Sequence, residues 1–173
     1  MPEASPDATI IIATSWQALG RANTGNVRTM ICNCTVIIVF AAYYIEANLN
    51  HLIESMGKTK EIIDYYGYRP GLQDKLVWFY ITYCADDKTI RNKKAYKAIR
   101  HRFPGFDEIY NFRNDVSHGL INRTLANLDD AKRLRANAID IVSDLFDIAM
   151  QAGCEIPRIV TYEFAISSED LTS

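Results

Sequence analysis

Arg113 and His118 are the two residues of this 173-residue chain whose types and spacing could do chemistry together, and Asn114 follows the arginine directly. Histidine titrates near neutral pH and can act as a general acid or a general base. Arginine keeps its charge and presents a planar fork that matches phosphate oxygens. Cleavage of RNA without a metal needs a base for the attacking ribose 2′-OH and a fixed cation for the charge on the phosphoryl oxygens. The pair therefore has the residue types for phosphodiester cleavage.

The spacing of the pair argues against a site that is complete within one helix. Side chains five residues apart leave a regular α-helix about 140° apart and about 7.5 Å along its axis. Arg113 and His118 therefore cannot share one face unless the helix ends or distorts at His118. Asn114 and His118 form an i, i+4 pair and can touch. Two copies of the motif across a dimer axis would supply two arginines and two histidines to one cleft.

The segment Arg113-Asn114-Asp115-Val116-Ser117-His118 resembles the defining motif of the HEPN superfamily, in which a His follows an Arg at this kind of spacing and Asn is favoured directly after the Arg. The resemblance covers residues 27–152 and is loosest over residues 58–103. It implies a helical protein, and many members of the superfamily are metal-independent ribonucleases of the toxin or defence type. Their paired motifs form a composite active site between protomers, so the resemblance implies a homodimer that acts on RNA.

The resemblance also implies roles for individual residues. His118 would be the general acid or base, and Arg113 would hold the phosphate and the transition state while Asn114 orients or binds. Glu46 lies in a stretch that looks like the first long helix of the family, where an acidic residue often accompanies the site. No cofactor or metal is implied. An antitoxin protein is a further partner of such toxins, but Leu120 stands where members regulated by nucleotidyltransferase antitoxins often have Tyr, so that regulation is not implied.

Residues 88–103 form a basic segment without any acidic residue, and seven of the nineteen basic residues of the chain lie in it: Lys88, Arg91, Lys93, Lys94, Lys97, Arg100 and Arg102. The net charge of the chain is −2, so any attraction to nucleic acid must come from a local patch. We predict that RNA binds Lys93, Lys94, Lys97, Arg100 and Arg102. The alternative is an ordinary solvated helix face.

The motif also has an interpretation without catalysis. Arg113 would then form a local salt bridge with Asp115 or Glu108, and His118 would simply end its helix. The corresponding alternative function is a non-catalytic helical module that binds RNA, a nucleotide or a protein partner.

Composition predicts one soluble domain, since 49% of the residues are apolar and 23% are charged. The four cysteines include no Cys-x-x-Cys pair and no histidine at ligand spacing, which indicates reduced, mostly buried thiols of a cytoplasmic protein rather than a metal site. The N-terminus has no secretory signal pattern. The most apolar run, Val36 to Ile45, is shorter than the roughly 20 residues that span a bilayer, so we expect a buried helix and no membrane contact.

Apolar periodicity predicts an all-α bundle of about five to seven helices in a single domain at 9–153, after a disordered tip at 1–8. The resemblance implies that this bundle is HEPN-like. An extended arm and polar tail are predicted at 154–173. The segment Leu72 to Cys84 suits a strand by propensity, and we expect a helix because the chain offers no strand partner. The predicted helices are Thr9 to Ala22, Val27 to Met56, Lys58 to Tyr66, Leu72 to Cys84, Lys88 to Phe103, Phe106 to His118, and Asn127 to Gly153.

Overall fold

The computed structural model describes residues 14–15, 17–22, 26–90, 92–119 and 127–154. Helical residues at 14–15 and 17–22 precede six longer helices, and no strand occurs in the described ranges. The predicted all-α bundle is therefore confirmed. The predicted disordered tip, the beginning of the first helix and almost all of the C-terminal arm lie outside the described residues. The six helices are α1 (Val27–Ser55), α2 (Thr59–Tyr66), α3 (Leu72–Tyr83), α4 (Asn92–Arg102), α5 (Phe106–Ser117) and α6 (Leu128–Gln151).

Helix α1 is the element around which the bundle packs. It contacts α6 most extensively, and it also contacts α5 and α3. The helix begins where the Asn26 side chain accepts a hydrogen bond from the Thr29 N–H at 3.2 Å, and it ends before Gly57, whose φ is +66°. Its buried side is nearly all apolar, so burial against three neighbours rather than helix propensity holds it in place.

The length and composition of α1 alone would also allow it to cross a membrane. Core helices of soluble proteins share that property. Eleven residues of α1 are buried within the bundle, including Ile37, Ile38, Tyr44 and Ile45 from the apolar run. The expectation of a buried core helix agrees with this packing, and the cytoplasmic location stays a prediction.

The ambiguous segment after residue 71 is helix α3. Leu76, Val77, Trp78, Phe79 and Ile81 are all buried in it, on several sides of the helix. Tertiary burial therefore outweighs the strand propensity of these residues.

Helix α4 begins at Asn92 and not at Lys88, so the predicted first turn of this helix was wrong. The Asp87 carboxylate accepts hydrogen bonds from both the N–H (2.9 Å) and the hydroxyl (2.6 Å) of Thr89. These bonds close a local turn instead of opening a helix, and they hold the pKa of Asp87 below its usual value. The helix begins at Asn92 and has no acidic residue in its first turn.

No disulfide joins the four cysteines. Cys34 is buried, whereas Cys84 and Cys154 are half-buried and Cys32 is exposed. The expectation that the thiols are mostly buried is therefore wrong for Cys32, which lies in the first two turns of α1, where Arg28 and other neighbours are also exposed.

Gly105 positions the start of α5. Its φ is +79°, and a Cβ added there would lie 2.3 Å from the Asn137 Nδ2 atom on α6. Gly105→Ala should therefore combine backbone strain of about 1–2 kcal/mol with overpacking of about 1–3 kcal/mol. Gly153 is the matched control, because its φ is +83° and its surroundings are open. In denaturant unfolding we expect Gly105→Ala to lose clearly more stability than Gly153→Ala. Equal losses would show that Asn137 moves aside without cost.

Candidate active site

Helix α5 directs Arg113 toward α1. Phe106, Ile109 and Phe112 are its buried residues, and they form the side on which α5 packs against α1 and α6. Arg113 follows Phe112 and lies one turn after Ile109, so it borders this buried side. Its side chain is consequently 25% exposed rather than solvated.

The Arg113 guanidinium pairs with Glu46 on α1. Its Nη2 atom lies 3.2 Å from Glu46 Oε2, across 67 positions of the sequence. The local salt bridge that the non-catalytic interpretation predicts for Arg113 was wrong, since the Glu108 carboxylate instead binds Arg133 on α6 at 2.7 and 3.1 Å. The other part of that interpretation is confirmed, because His118 ends its helix. Glu46 is only 22% exposed, so the pair is better shielded from solvent than a typical surface salt bridge.

Two further side chains complete a cluster around Glu46. Lys75 on α3 lies with its Nζ atom 3.5 Å from Glu46 Oε1, and Arg113 Cζ lies over the Tyr43 ring at 5.4 Å from its centroid. We call Tyr43, Glu46, Lys75 and Arg113 the Glu46 cluster. It carries two cations and one carboxylate, so its formal charge is positive.

Sequence reasoning missed Tyr43 and Lys75. Tyr43 could have been found, because it lies three residues before Glu46 and therefore on the same face of α1. No local pattern points to Lys75. It reaches the cluster only because α3 packs beside α1.

His118 lies just past the end of α5, as its C-cap residue, and its side chain is exposed. Its backbone N–H donates to the Asn114 carbonyl oxygen at 2.9 Å, and Gly119 follows with φ +72°. Arg113 lies within α5 and faces α1, whereas His118 is the first residue beyond the helix, with φ −94° and ψ 6°. The helix thus ends at His118, which is the condition under which the two side chains can depart from the regular separation of about 140° and about 7.5 Å.

Asn114 contacts His118 through a main-chain hydrogen bond. It is half-buried. The Ser117 hydroxyl donates to the Arg113 carbonyl oxygen at 2.8 Å. Both bonds hold the last turn of α5 closed, so His118 projects from a defined position.

The basic face of α4 is partly neutralised. Arg100 Nε lies 2.5 Å from Asp107 Oδ2, and Arg102 Nη2 lies 2.8 Å from Asp144 Oδ1 on α6. Lys93, Lys94 and Lys97 are exposed. The segment contains no acid of its own, but neighbouring helices supply two. Of the five predicted RNA-binding residues, three are therefore exposed cations without an ion pair in the described part of the chain.

Among the described residues, no group of three or more His, Cys, Asp or Glu side chains could hold a metal ion.

Comparisons with known proteins give this chain no relative, since no protein-family model, no curated protein and no solved structure matches it.

Proposed function

We propose that this protein is a HEPN-like, metal-independent endoribonuclease of the toxin or defence type, which acts in the cytoplasm as a homodimer. Arg113 and His118 of both copies would form one composite site. The observation that carries the proposal is the Arg113–Glu46 ion pair. It joins the motif arginine to the acidic residue of the long helix, which the family resemblance implies as a member of the same site.

Arg113 is suited to hold a phosphate. Its Nη2 bond to Glu46 and its cation–π contact with Tyr43 hold the guanidinium in place, and a cation held in place stabilises developing charge with little reorganisation in the reaction. Lys75 shares the Glu46 carboxylate, which leaves positive charge in excess at this position. A phosphodiester that approaches the Glu46 cluster therefore meets an oriented fork with a second cation beside it.

His118 is suited to move the proton. Its side chain is exposed at the end of α5. In the proposed reaction it accepts the proton of the ribose 2′-OH, or donates one to the departing 5′-oxygen. The 2′-oxygen bonds to phosphorus as the bond to the 5′-oxygen breaks, and a 2′,3′-cyclic phosphate remains. The division between acid and base stays open between the two copies.

A second copy would supply what one chain lacks. Arg113 faces α1 from within α5, whereas His118 lies just past the end of that helix. In the proposed composite site, a phosphate held by Arg113 of one protomer meets His118 of the other. Beside Arg113, Phe40 and Tyr43 present a half-buried and an exposed aromatic ring in edge contact at 6.2 Å. Aromatic side chains of this kind are enriched in interfaces, so we place the dimer contact along this side of α1.

Lys93, Lys94 and Lys97 would attract the RNA backbone. They lie one turn or less apart on α4 and are exposed. Arg100 and Arg102 would contribute less than the sequence suggests, because Asp107 and Asp144 already hold them.

One observation favours the alternative, a non-catalytic module that binds RNA, a nucleotide or a protein partner. The charge of Arg113 is already compensated by Glu46, as in a purely structural ion pair. RNA binding without turnover would identify this function.

A cleavage assay with Arg113 variants tests the proposal. Arg113→Ala should lower the cleavage rate about 10²- to 10³-fold, as loss of one oriented charge-stabilising group does elsewhere. Arg113→Lys is the matched control: it keeps the positive charge beside Glu46 but loses the planar fork, so it should retain stability and recover only part of the rate. Single-stranded and structured RNAs should be assayed in EDTA, with the cleaved ends checked for cyclic phosphate.

Full activity of Arg113→Ala would contradict the proposal, and so would a strict requirement for added metal. The solution mass provides a second check, because a strictly monomeric protein cannot form a composite site.

A further inference from the structure

A cleft opens between α1, α2, the turn that follows α2, and α3. Its volume is about 330 Å³, within the range of roughly 300–1,000 Å³ that is typical of small-molecule sites. The residues that line it are Asn50, Ile53, Glu54, Thr59, Ile62, Ile63, Arg69, Pro70 and Lys75.

The lining combines an apolar surface with a few polar groups. Ile53, Ile62 and Pro70 line the cleft and are otherwise buried, so they form its inner apolar wall. Asn50 and Glu54 are exposed and offer an amide and a carboxylate. Such a lining suits a flat organic ring that also carries hydrogen-bonding groups at its edge.

Two cations line the same cleft, against one carboxylate. Arg69 is exposed, while the Lys75 side chain is 14% exposed and pairs with Glu46 at 3.5 Å. An arginine fork and an ammonium group in one small cleft are suited to a phosphate oxygen. The ligand class is therefore a planar ring that carries a phosphate.

The cleft continues directly from the Glu46 cluster. Lys75 belongs to both, and Asn50 lies one turn after Glu46 on α1, about 6 Å along the helix axis. A chain molecule whose phosphate is held at Arg113 can thus place a neighbouring unit in the cleft. Tyr65 at the end of α2 and Tyr68 in the turn after it are 52% and 54% exposed.

We propose that this cleft binds one nucleotide of a single-stranded RNA, next to the phosphodiester held at the Glu46 cluster. The base lies against Ile53 and Ile62, with its edge at Asn50 and Glu54. The phosphate of the same nucleotide contacts Arg69 and Lys75. The cleft is then the place where the protein discriminates between bases. This inference rests on the proposed ribonuclease function and adds a substrate subsite to it.

Calorimetric titration of the full chain with the four nucleoside 5′-monophosphates tests the subsite. At least one nucleotide should bind, more tightly than inorganic phosphate alone, because phosphate lacks the ring. Arg69→Ala should weaken nucleotide binding about tenfold or more, as loss of a charge-assisted hydrogen bond does. Lys60→Ala is the matched control: Lys60 is an exposed cation on α2 that does not line the cleft.

Ile63→Trp provides an independent variant. Ile63 is 39% exposed at the cleft, so a larger ring there should fill the cleft without disturbing the core, and it should abolish nucleotide binding. Equal affinities of the parent and both cleft variants would overturn the proposal, as would phosphate binding as tightly as the nucleotides.

A competition experiment separates RNA from a free nucleotide as the source of the ligand. A short single-stranded oligoribonucleotide should displace the mononucleotide and bind more tightly than it. Failure to displace it would show that the cleft takes free nucleotides only, which overturns the RNA subsite. These measurements need no cleavage, so failure of the ribonuclease proposal would appear separately, as nucleotide binding in a protein that does not cut RNA.

Discussion

His118→Ala should lower RNA cleavage by about 10²- to 10⁴-fold, the usual contribution of a general acid or base. The loss should be one of rate and not of folding. The His118 side chain is exposed, and the bond that closes the helix end is donated by its backbone N–H, which alanine retains. The measurement is the initial cleavage rate on one single-stranded RNA, together with thermal unfolding of both proteins.

His101→Ala is the control for this result. His101 is also exposed and also lies at the end of a helix, α4, but it is not part of the motif. It should leave the rate unchanged and so exclude a general effect of removing surface imidazoles. If His118→Ala cut RNA as fast as His101→Ala, the assignment of His118 as the proton-transfer group would be wrong.

Phe106→Ala should lower the free energy of unfolding by about 3–5 kcal/mol, as is typical for a buried phenylalanine. Phe106 is 1% exposed, and its ring stacks on Tyr110 with 5.9 Å between centroids. The loss is a large share of the roughly 5–15 kcal/mol that stabilises a typical domain. Phe106 is also the first residue of α5, so its truncation weakens the packing that directs Arg113 toward Glu46.

Met150→Ala is the comparison for the core variant. Met150 is 51% exposed on α6, and its truncation should change stability by no more than about 0.5 kcal/mol. Urea unfolding of the parent and the two variants gives the three free energies. A loss at Phe106 as small as that at Met150 would mean that α5 does not need its buried anchor, and the account of how Arg113 is positioned would fail.

The helical bundle could be predicted from the sequence because its causes are local. Apolar residues recur at helical spacing along α1 and α6, and Asn26 and Asn127 supply the caps, with Asn127 Oδ1 accepting the Asp130 N–H at 2.8 Å. The predicted start of α4 at Lys88 was wrong for an equally local reason. Asp and Thr side chains can bond to the nearby backbone either in a turn or at a helix start. The same residue types therefore precede both structures, and here Asp87 and Thr89 form a turn.

The candidate site divides in the same way. Arg113, His118 and their spacing can be read from the chain, and regular helix geometry predicts that side chains at this spacing point in different directions. The partners of Arg113 cannot be read in that way. Glu46 could be named only through a family resemblance, and Lys75 has no local signal at all.

The set of helices and the proposed catalytic pair can thus be predicted from the chain alone, because helical periodicity and side-chain chemistry act within a few residues. Which charges pair depends on the packing of the helices. Arg113 pairs with Glu46 rather than with Glu108 or Asp115, which are nearer in the sequence. Arg100 and Arg102 pair with carboxylates on α5 and α6. Ion pairing depends on distance in space, and helices packed side by side bring together residues that the chain keeps far apart.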